Sequence, residues 1–466
     1  MYLCQNKEYE VDPLLFSKYL AKETNLLKEW FDKKYFTSQG LHAGAEIEFL
    51  MLNKNYRLTP HNISFIEKLN NPLIGPESGT SQLEINTSAL PICDNFLSTL
   101  HHNILTLWEQ CCALAQKENY HLLLIGSMPQ AAKKFSQLSC ITPQNDFYLM
   151  NDYTTQYRKG FPLVINLEGP QEHLRIKLES LALEGLICSF QLHLAVNQEQ
   201  ASAYYNAIQS LSAPLLALSS NAPFFYGANT WSESRIAIFE QLYHFPLPTK
   251  NTVFFEPHYL EQSLFDLFQN NTQDYPYLVP IVENKPEEYM SHVRRQNSCI
   301  FRWNRPILDF NEQNRPYLRI EHRSLSSGTT IIDMVANAAF FYGIVYYFAN
   351  YSLRPVKNMQ ETVLNFYRAA QYGLNAQFQW NGAWIKACEL LKELVPLAAK
   401  GLEQLGVNHG DINFYLELIK KRVANKQNGS LWQQAYIHKY GKNFPNMLEH
   451  YLKNQYSELP VSDWRL

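Results

Sequence analysis

Apolar and polar residues alternate in four short stretches of this chain. They are Ala45-Glu46-Ile47-Glu48-Phe49, Gln82-Leu83-Glu84-Ile85-Asn86, Phe190-Gln191-Leu192-His193-Leu194 and Leu318-Arg319-Ile320-Glu321-His322-Arg323. Successive side chains of a strand point to opposite faces, so each stretch predicts a strand with one oily face and one chemical face. Glu46 then shares a face with Glu48, Glu84 with Asn86, and Gln191 with His193, while Arg319 and Arg323 flank Glu321. Ile47, Leu83, Ile85, Leu192, Leu194 and Ile320 point into a core.

Helical periodicity accounts for much of the rest. Leu14, Leu15, Tyr19, Leu20, Leu26, Leu27 and Trp30 recur at near-helical spacing and predict an amphipathic helix from Pro13 to Lys34. A second helical pattern, Asn95 to Asn119, leads into the apolar run His121 to Gly126, a buried strand by its length and flanks. Ala201 to Ser220 reads as a helix followed by the turn-rich Asn221 to Gly227. Thr329 or Thr330 is placed to cap a helix opening at Ile331. Strand, helix and loop thus interleave across about 40 to 350, whereas Val356 to Tyr451 predicts helix after helix and reads as an all-helical appendage. There is no internal repeat, low-complexity tract or long Pro/Gly/Ser linker. The expected organisation is an α+β domain over residues 1–355, N-terminal helix included, with a helical extension over 356–466 packed on it.

Composition narrows the class of partner. The 466 residues are 46% hydrophobic, enough for a large core, and the net charge of -3 provides no basic field. Nucleic acid and anionic membranes are therefore not expected partners, and a small soluble molecule is favoured. Met1 to Glu10 lacks a basic segment followed by an apolar run, so a cytoplasmic location is expected. The eight cysteines are scattered without Cys-x-x-Cys spacing, which suits reduced thiols rather than zinc or a disulfide framework. The most membrane-like stretch, Ile331 to Ala349, is interrupted by Asp333 and Asn337 and reads as a buried helix. No Walker A run, G-x-S-x-G elbow or protein-kinase signature is present.

One sheet surface carrying Glu46, Glu48, Glu84, Glu321, His193, Arg319 and Arg323 needs counterions, and divalent metal and phosphate are suited to the role. Arg302 and Arg305, in Phe301-Arg-Trp-Asn-Arg-Pro306, occupy an aromatic, turn-like setting that suits either a substrate clamp or cation–π packing.

Taken in order, Gly44-Ala-Glu-Ile-Glu-Phe49, Ser81-Gln-Leu-Glu-Ile-Asn-Thr87, Pro214-Leu-Leu-Ala-Leu-Ser-Ser-Asn-Ala-Pro-Phe224, Ser234-Arg235 and Arg319-Ile-Glu-His-Arg323 resemble the landmarks of glutamate-cysteine ligase-like carboxylate-amine ligases, relatives of glutamine synthetase. The resemblance covers about 40 to 350. It implies an antiparallel sheet funnel with packed helices, in which metals bridge ATP phosphates to strand carboxylates. By position it makes Glu46, Glu48, Glu84, Glu321 and His193 metal ligands, with Mg2+ or Mn2+ as the ion. His193, Arg323, Arg302 and Arg305 fall to the nucleotide. Arg323, Arg235 and Glu321 take catalytic roles, Arg323 at the transferring phosphoryl group and Arg235 on substrate carboxylate or phosphate. The implied reaction is ATP-dependent amide formation between a small-molecule carboxylate, glutamate or similar, and an amine, through an acyl phosphate. A homodimer stays open. The alternatives are a guanidino-type phosphotransferase on the same sheet and an inactive nucleotide- or amino-acid-binding homologue. The chain departs from the pattern at Gln191 and Ala195, where relatives commonly carry His-x-His-x-Gly.

Overall fold

The alternating stretches pair into one eight-stranded antiparallel sheet. Its strands are β1 (His42–Asn53), β2 (Ile74–Pro76), β3 (Gln82–Asn86), β4 (Leu90–Pro91), β5 (Tyr120–Leu123), β6 (Ser189–Val196), β7 (Asn304–Phe310) and β8 (Pro316–Ser326). They lie in the order β7-β8-β6-β1-β3-β2, with β4 and β5 also pairing with β1. The computed structural model describes residues 10–466 except Gln39 and Ser352. Cys4 and the segment before Glu10, on which the expectation about a leader rests, lie outside the described residues.

The face expected to be oily is buried: Ile47, Leu83, Ile85, Leu192 and Ile320 are 0% exposed. Helices Phe96–Lys117, Ala201–Ser219 and Ile331–Asn350 cover it. Trp108 meets Phe49 edge-on at 5.3 Å, Tyr205 donates to the Asn304 carbonyl at 3.1 Å, and Phe341 stacks on His322 at 5.2 Å. Tyr342 donates to the carbonyls of Gly44 and His193, both at 3.0 Å, and so anchors the last of these helices under β1 and β6. Burying each such aliphatic side chain contributes about 1.5–3 kcal/mol. The acidic face is thereby left to the opposite side of the sheet.

Pro13–Asp32 is helical as expected, opened by Asp12, whose carboxylate accepts from the Leu14 and Leu15 amides. Thr330 caps Ile331–Asn350 by accepting from the Asp333 amide. The two polar residues within that apolar helix are explained by Arg422, which donates to Asp333 at 2.8 Å and to Asn337 at 2.5 Å from the Asn408-capped helix His409–Asn425.

The C-terminal segment is not all helical. Besides five helices it contains a hairpin, Gln377–Trp380 with Ala383–Lys386. Asn381 and Gly382 turn it at φ 52° and 83°. Asn-Gly with both residues at positive φ is a favoured two-residue hairpin turn, because its twist matches that of the strands. Gly343 and Gly401 let Ile331–Asn350 and Ala387–Gln404 cross closely, since a Cβ on either would strike the opposing main chain.

Candidate active site

Register decides which of the chemical side chains meet. Glu48 on β1 stands opposite Glu84 on β3, and Glu46 stands between Asn86 and Gln191. Glu321 on β8 lies opposite His193 on β6 and Arg305 on β7. A bulge in β8 between His322 and Leu325 adds a residue there, so Leu325 returns to the core opposite Phe190 while Arg323 stays on the acidic face. Arg323 donates from Nη1 to Gln191 Oε1 at 2.6 Å and to Glu321 Oε2 at 2.8 Å.

The acids form two groups. Glu46, His193 and Glu321 each offer a ligand atom, all within 4.8 Å of one another, and so do Glu48, Glu77 and Glu84. The five residues expected to bind metal are thus gathered on one surface, and Glu77 joins them. The groups differ electrostatically. Burial alone would raise Glu321, but the Arg305 and Arg323 guanidiniums outweigh it and hold its carboxyl well below the usual range. Glu46 is likewise lowered, with His193 opposing the cost of burial. In the second group burial wins. It pushes Glu77 up to about 8, with the Glu48 charge adding, and carries Glu84 well above the usual carboxylate range together with the charges of Glu46, Glu77 and Glu48. Glu48 is also raised by burial, although it accepts from the Ser189 amide at 2.7 Å and the Ser189 hydroxyl at 2.6 Å.

These residues suit divalent cations. Three crowded carboxylates without a paired cation are a set of hard oxygen donors. In the other group, His193 Nδ1 takes a hydrogen bond from Arg319 at 2.7 Å. His193 Nε2 lies 2.9 Å from Glu46, yet it is buried and has no aligned hydrogen-bond partner.

A cavity of about 370 Å³ opens over this face. Its acidic wall carries both groups' glutamates except Glu321, Phe147, Phe239, Phe301 and Trp303 supply an aromatic wall, and Arg235, Arg305 and Arg323 line it. Arg305 grips Glu321 bidentately, Nε to Oε2 at 2.8 Å and Nη2 to Oε1 at 3.1 Å. Arg235 is held from behind. It donates to Glu233 at 3.2 Å and to the carbonyls of Arg323 and Ser324, and its guanidinium lies 5.4 Å over Trp303. It therefore braces the bulge that aims Arg323.

Arg302, expected at the nucleotide, is not among the residues lining this cavity. Strand alternation turns it away from its neighbours Phe301 and Trp303 into a sealed pocket. There it donates to Glu256 at 2.9 Å and Asn271 at 2.5 Å between the rings of Phe254 and Tyr275. Arg319 pairs with His193 and, at 3.4 Å, with Asp309 rather than with Glu321. Gln191, at the position of departure, donates to Glu48 at 3.0 Å while accepting from Arg323, and so links an acid to the guanidinium of an arginine.

Glu77 and Glu184, both lining the cavity, carried no strand pattern. The local signal for Glu77 is the turn Glu77-Ser-Gly-Thr80 that closes the β2–β3 hairpin. Its Gly79 packs against the main chain of Gly185, where no Cβ fits, and this contact brings the two acid-bearing turns together.

The sequence pattern of Glutamate-cysteine ligase family 2 (GCS2) matches residues 42–451. No curated protein matches the chain. Among solved structures, the chain is similar to the glutamate–cysteine ligase of Francisella tularensis in complex with AMP. The TM-score is 0.58 at 11% identity, over 90% of this chain and 89% of that one. It is also similar to a bifunctional glutathione synthetase from Pasteurella multocida, with a TM-score of 0.49 at 11% identity over 93% and 54% of the two chains. The first likeness extends the antiparallel-sheet ligase fold to nearly the whole chain. With its acidic sheet face, its arginines and the match over most of its length, the chain belongs to glutamate-cysteine ligase family 2 and is an ATP-dependent ligase that joins a carboxylate to an amine.

Proposed function

We propose that this ligase activates the carboxylate of glutamate or a similar amino acid as an acyl phosphate, using the γ-phosphate of ATP, and passes the acyl group to a small-molecule amine. The observation that carries the reading is the placement of two acid groups beside Arg323 on the floor of one aromatic-walled cavity. Glu48, Glu77 and Glu84 would hold one Mg2+ or Mn2+, and Glu46, His193 and Glu321 another. When bound, such ions offset the charge that gathers on the phosphates. Arg323 has one buried Nε without a partner and hydrogen bonds to Glu321 and Gln191 that it can exchange for phosphoryl oxygens. It supplies a fixed positive charge where negative charge develops. Arg305 keeps Glu321 in place, and Arg235 keeps the bulge in place. Phe239, Phe301 and Trp303 exclude water, which would otherwise hydrolyse the acyl phosphate. Every residue named here falls within 1–355, which we assign as the catalytic domain, with 356–466 as its helical extension. A cytoplasmic location without nucleic-acid or membrane partners fits small-molecule chemistry, and a homodimer is compatible with it.

Oxygen-18 placed in the substrate carboxylate tests the route. One labelled oxygen must appear in inorganic phosphate, with ADP as the other product. AMP and pyrophosphate, or label retained wholly in the amide, would overturn the acyl-phosphate reading. Phosphoramidate without phosphate release would identify a phosphotransferase.

A further inference from the structure

Six acids line the cavity, and five have assigned company: Glu46, Glu48, Glu77 and Glu84 in the two acid groups, and Asp146 in a 2.9 Å pair with Arg295. Glu184 is the sixth. It sits on the short helical turn Leu181–Leu186, opened by Ser180, and the following Gly185 is locked against Gly79. Its Oε2 accepts from the hydroxyl of the fully buried Tyr243 at 2.8 Å, and Tyr243 also reaches Met150 Sδ at 2.9 Å. The other oxygen, Oε1, takes no hydrogen bond from the described residues. A carboxylate fixed by a neutral hydroxyl, with one oxygen turned to an aromatic-walled cavity, has the chemistry that captures an ammonium group.

We propose that Glu184 is a catalytic residue that binds the ammonium of the incoming amine substrate and accepts its proton. The inference deepens the ligase reading and rests on it. An α-amino group is protonated at neutral pH and has no lone pair with which to attack. Transfer of one N–H proton to Glu184 Oε1 leaves a neutral amine and a neutral carboxyl. The nitrogen lone pair then forms the C–N bond as the C–O bond to phosphate breaks. The second nitrogen proton leaves with the phosphate, and Glu184 returns its own to solvent. The charged and titratable groups facing Glu184 are Tyr243, Glu48, Arg323 and Glu77. Burial, which Tyr243 and Arg323 oppose and Glu48 reinforces, pushes the Glu184 carboxyl up to about 7, where it can exchange protons at neutral pH.

Hydroxylamine is uncharged at neutral pH and needs no base to become nucleophilic. Glu184→Gln, which retains an oxygen for Tyr243, is therefore assayed with glutamate and ATP against L-cysteine and other amino acids, and in parallel against hydroxylamine with hydroxamate as the readout. The expected result is a loss of about a hundredfold in amide formation with a far smaller loss of hydroxamate. Equal losses with both nucleophiles, or no loss with amino acids, would overturn the role of Glu184. Absence of hydroxamate in the wild-type enzyme would overturn the ligase reading instead.

Discussion

The crowding of Glu48, Glu77 and Glu84 has a measurable consequence in the absence of metal. Glu77→Gln removes one charge from the group while keeping side-chain volume and hydrogen-bonding capacity. Burial, helped by the Glu48 charge, takes the Glu77 carboxyl from 4.5 to about 8. Because the folded value is raised above the unfolded one, the stability tied to this group is complete below about pH 4.5 and falls as pH climbs to about 8. At about 1.36 kcal/mol per unit the full difference would approach 5 kcal/mol, and the half-buried position on an open cavity reduces it to about 2 kcal/mol. For a chain of 466 residues unfolding with an entropy of about 2.1 cal/mol/K per residue, this corresponds to about 2 °C in Tm. In EDTA at pH 8 the variant should therefore melt about 2 °C above the wild type, with the difference vanishing near pH 4.5. Adding Mg2+ should reverse the order, because a bound ion stabilises the wild type in proportion to its affinity and the variant has lost a ligand. Thermal scans across pH, with and without Mg2+, provide the comparison. A metal-free variant that melts below the wild type at pH 8, or gains as much from Mg2+, would refute the account.

Arg323→Lys keeps the charge but loses the planar guanidinium, whose Nη1 now donates to both Gln191 and Glu321. Turnover should fall about a hundredfold, or about 3 kcal/mol in the barrier, with ATP affinity nearly unchanged, and wild-type turnover would make the residue structural. Arg302→Met, in contrast, leaves Glu256 buried without its partner and should cost about 3–5 kcal/mol in denaturant titrations. The fraction that remains folded should keep the wild-type KM for ATP, and a raised KM would return Arg302 to the nucleotide site.

Much of the frame was legible because the signals are local. Alternation at Glu46 to Glu48 or Gln191 to His193 reports the two faces of a strand from its own residues, and it separated Ile47 and Leu192 from the acids correctly. The Asn381-Gly382 turn was equally local, but it lies amid helical periodicity that overrode it. Arg302 was misplaced for a different reason. Two arginines three residues apart looked equivalent, whereas strand alternation at Phe301-Arg302-Trp303 sends Arg302 into a sealed pocket and pairing with β8 brings Arg305 onto Glu321.

By itself, the order of residues determined the strands, their chemical faces, the core beneath them and the family resemblance, since period, polarity and motif order survive without coordinates. Only the tertiary structure decided the partnerships. Glu321 meets His193 across more than a hundred intervening residues because β8 pairs with β6 in one register, and a slip of one would turn its side chains to the other face. Glu77 and Glu184 enter the cavity because Gly79 and Gly185 touch, and Leu325 returns to the core opposite Phe190 because a bulge adds one residue. Such contacts depend on closing long loops and on packing remote backbones, and the residues at one end do not specify which residues meet them at the other.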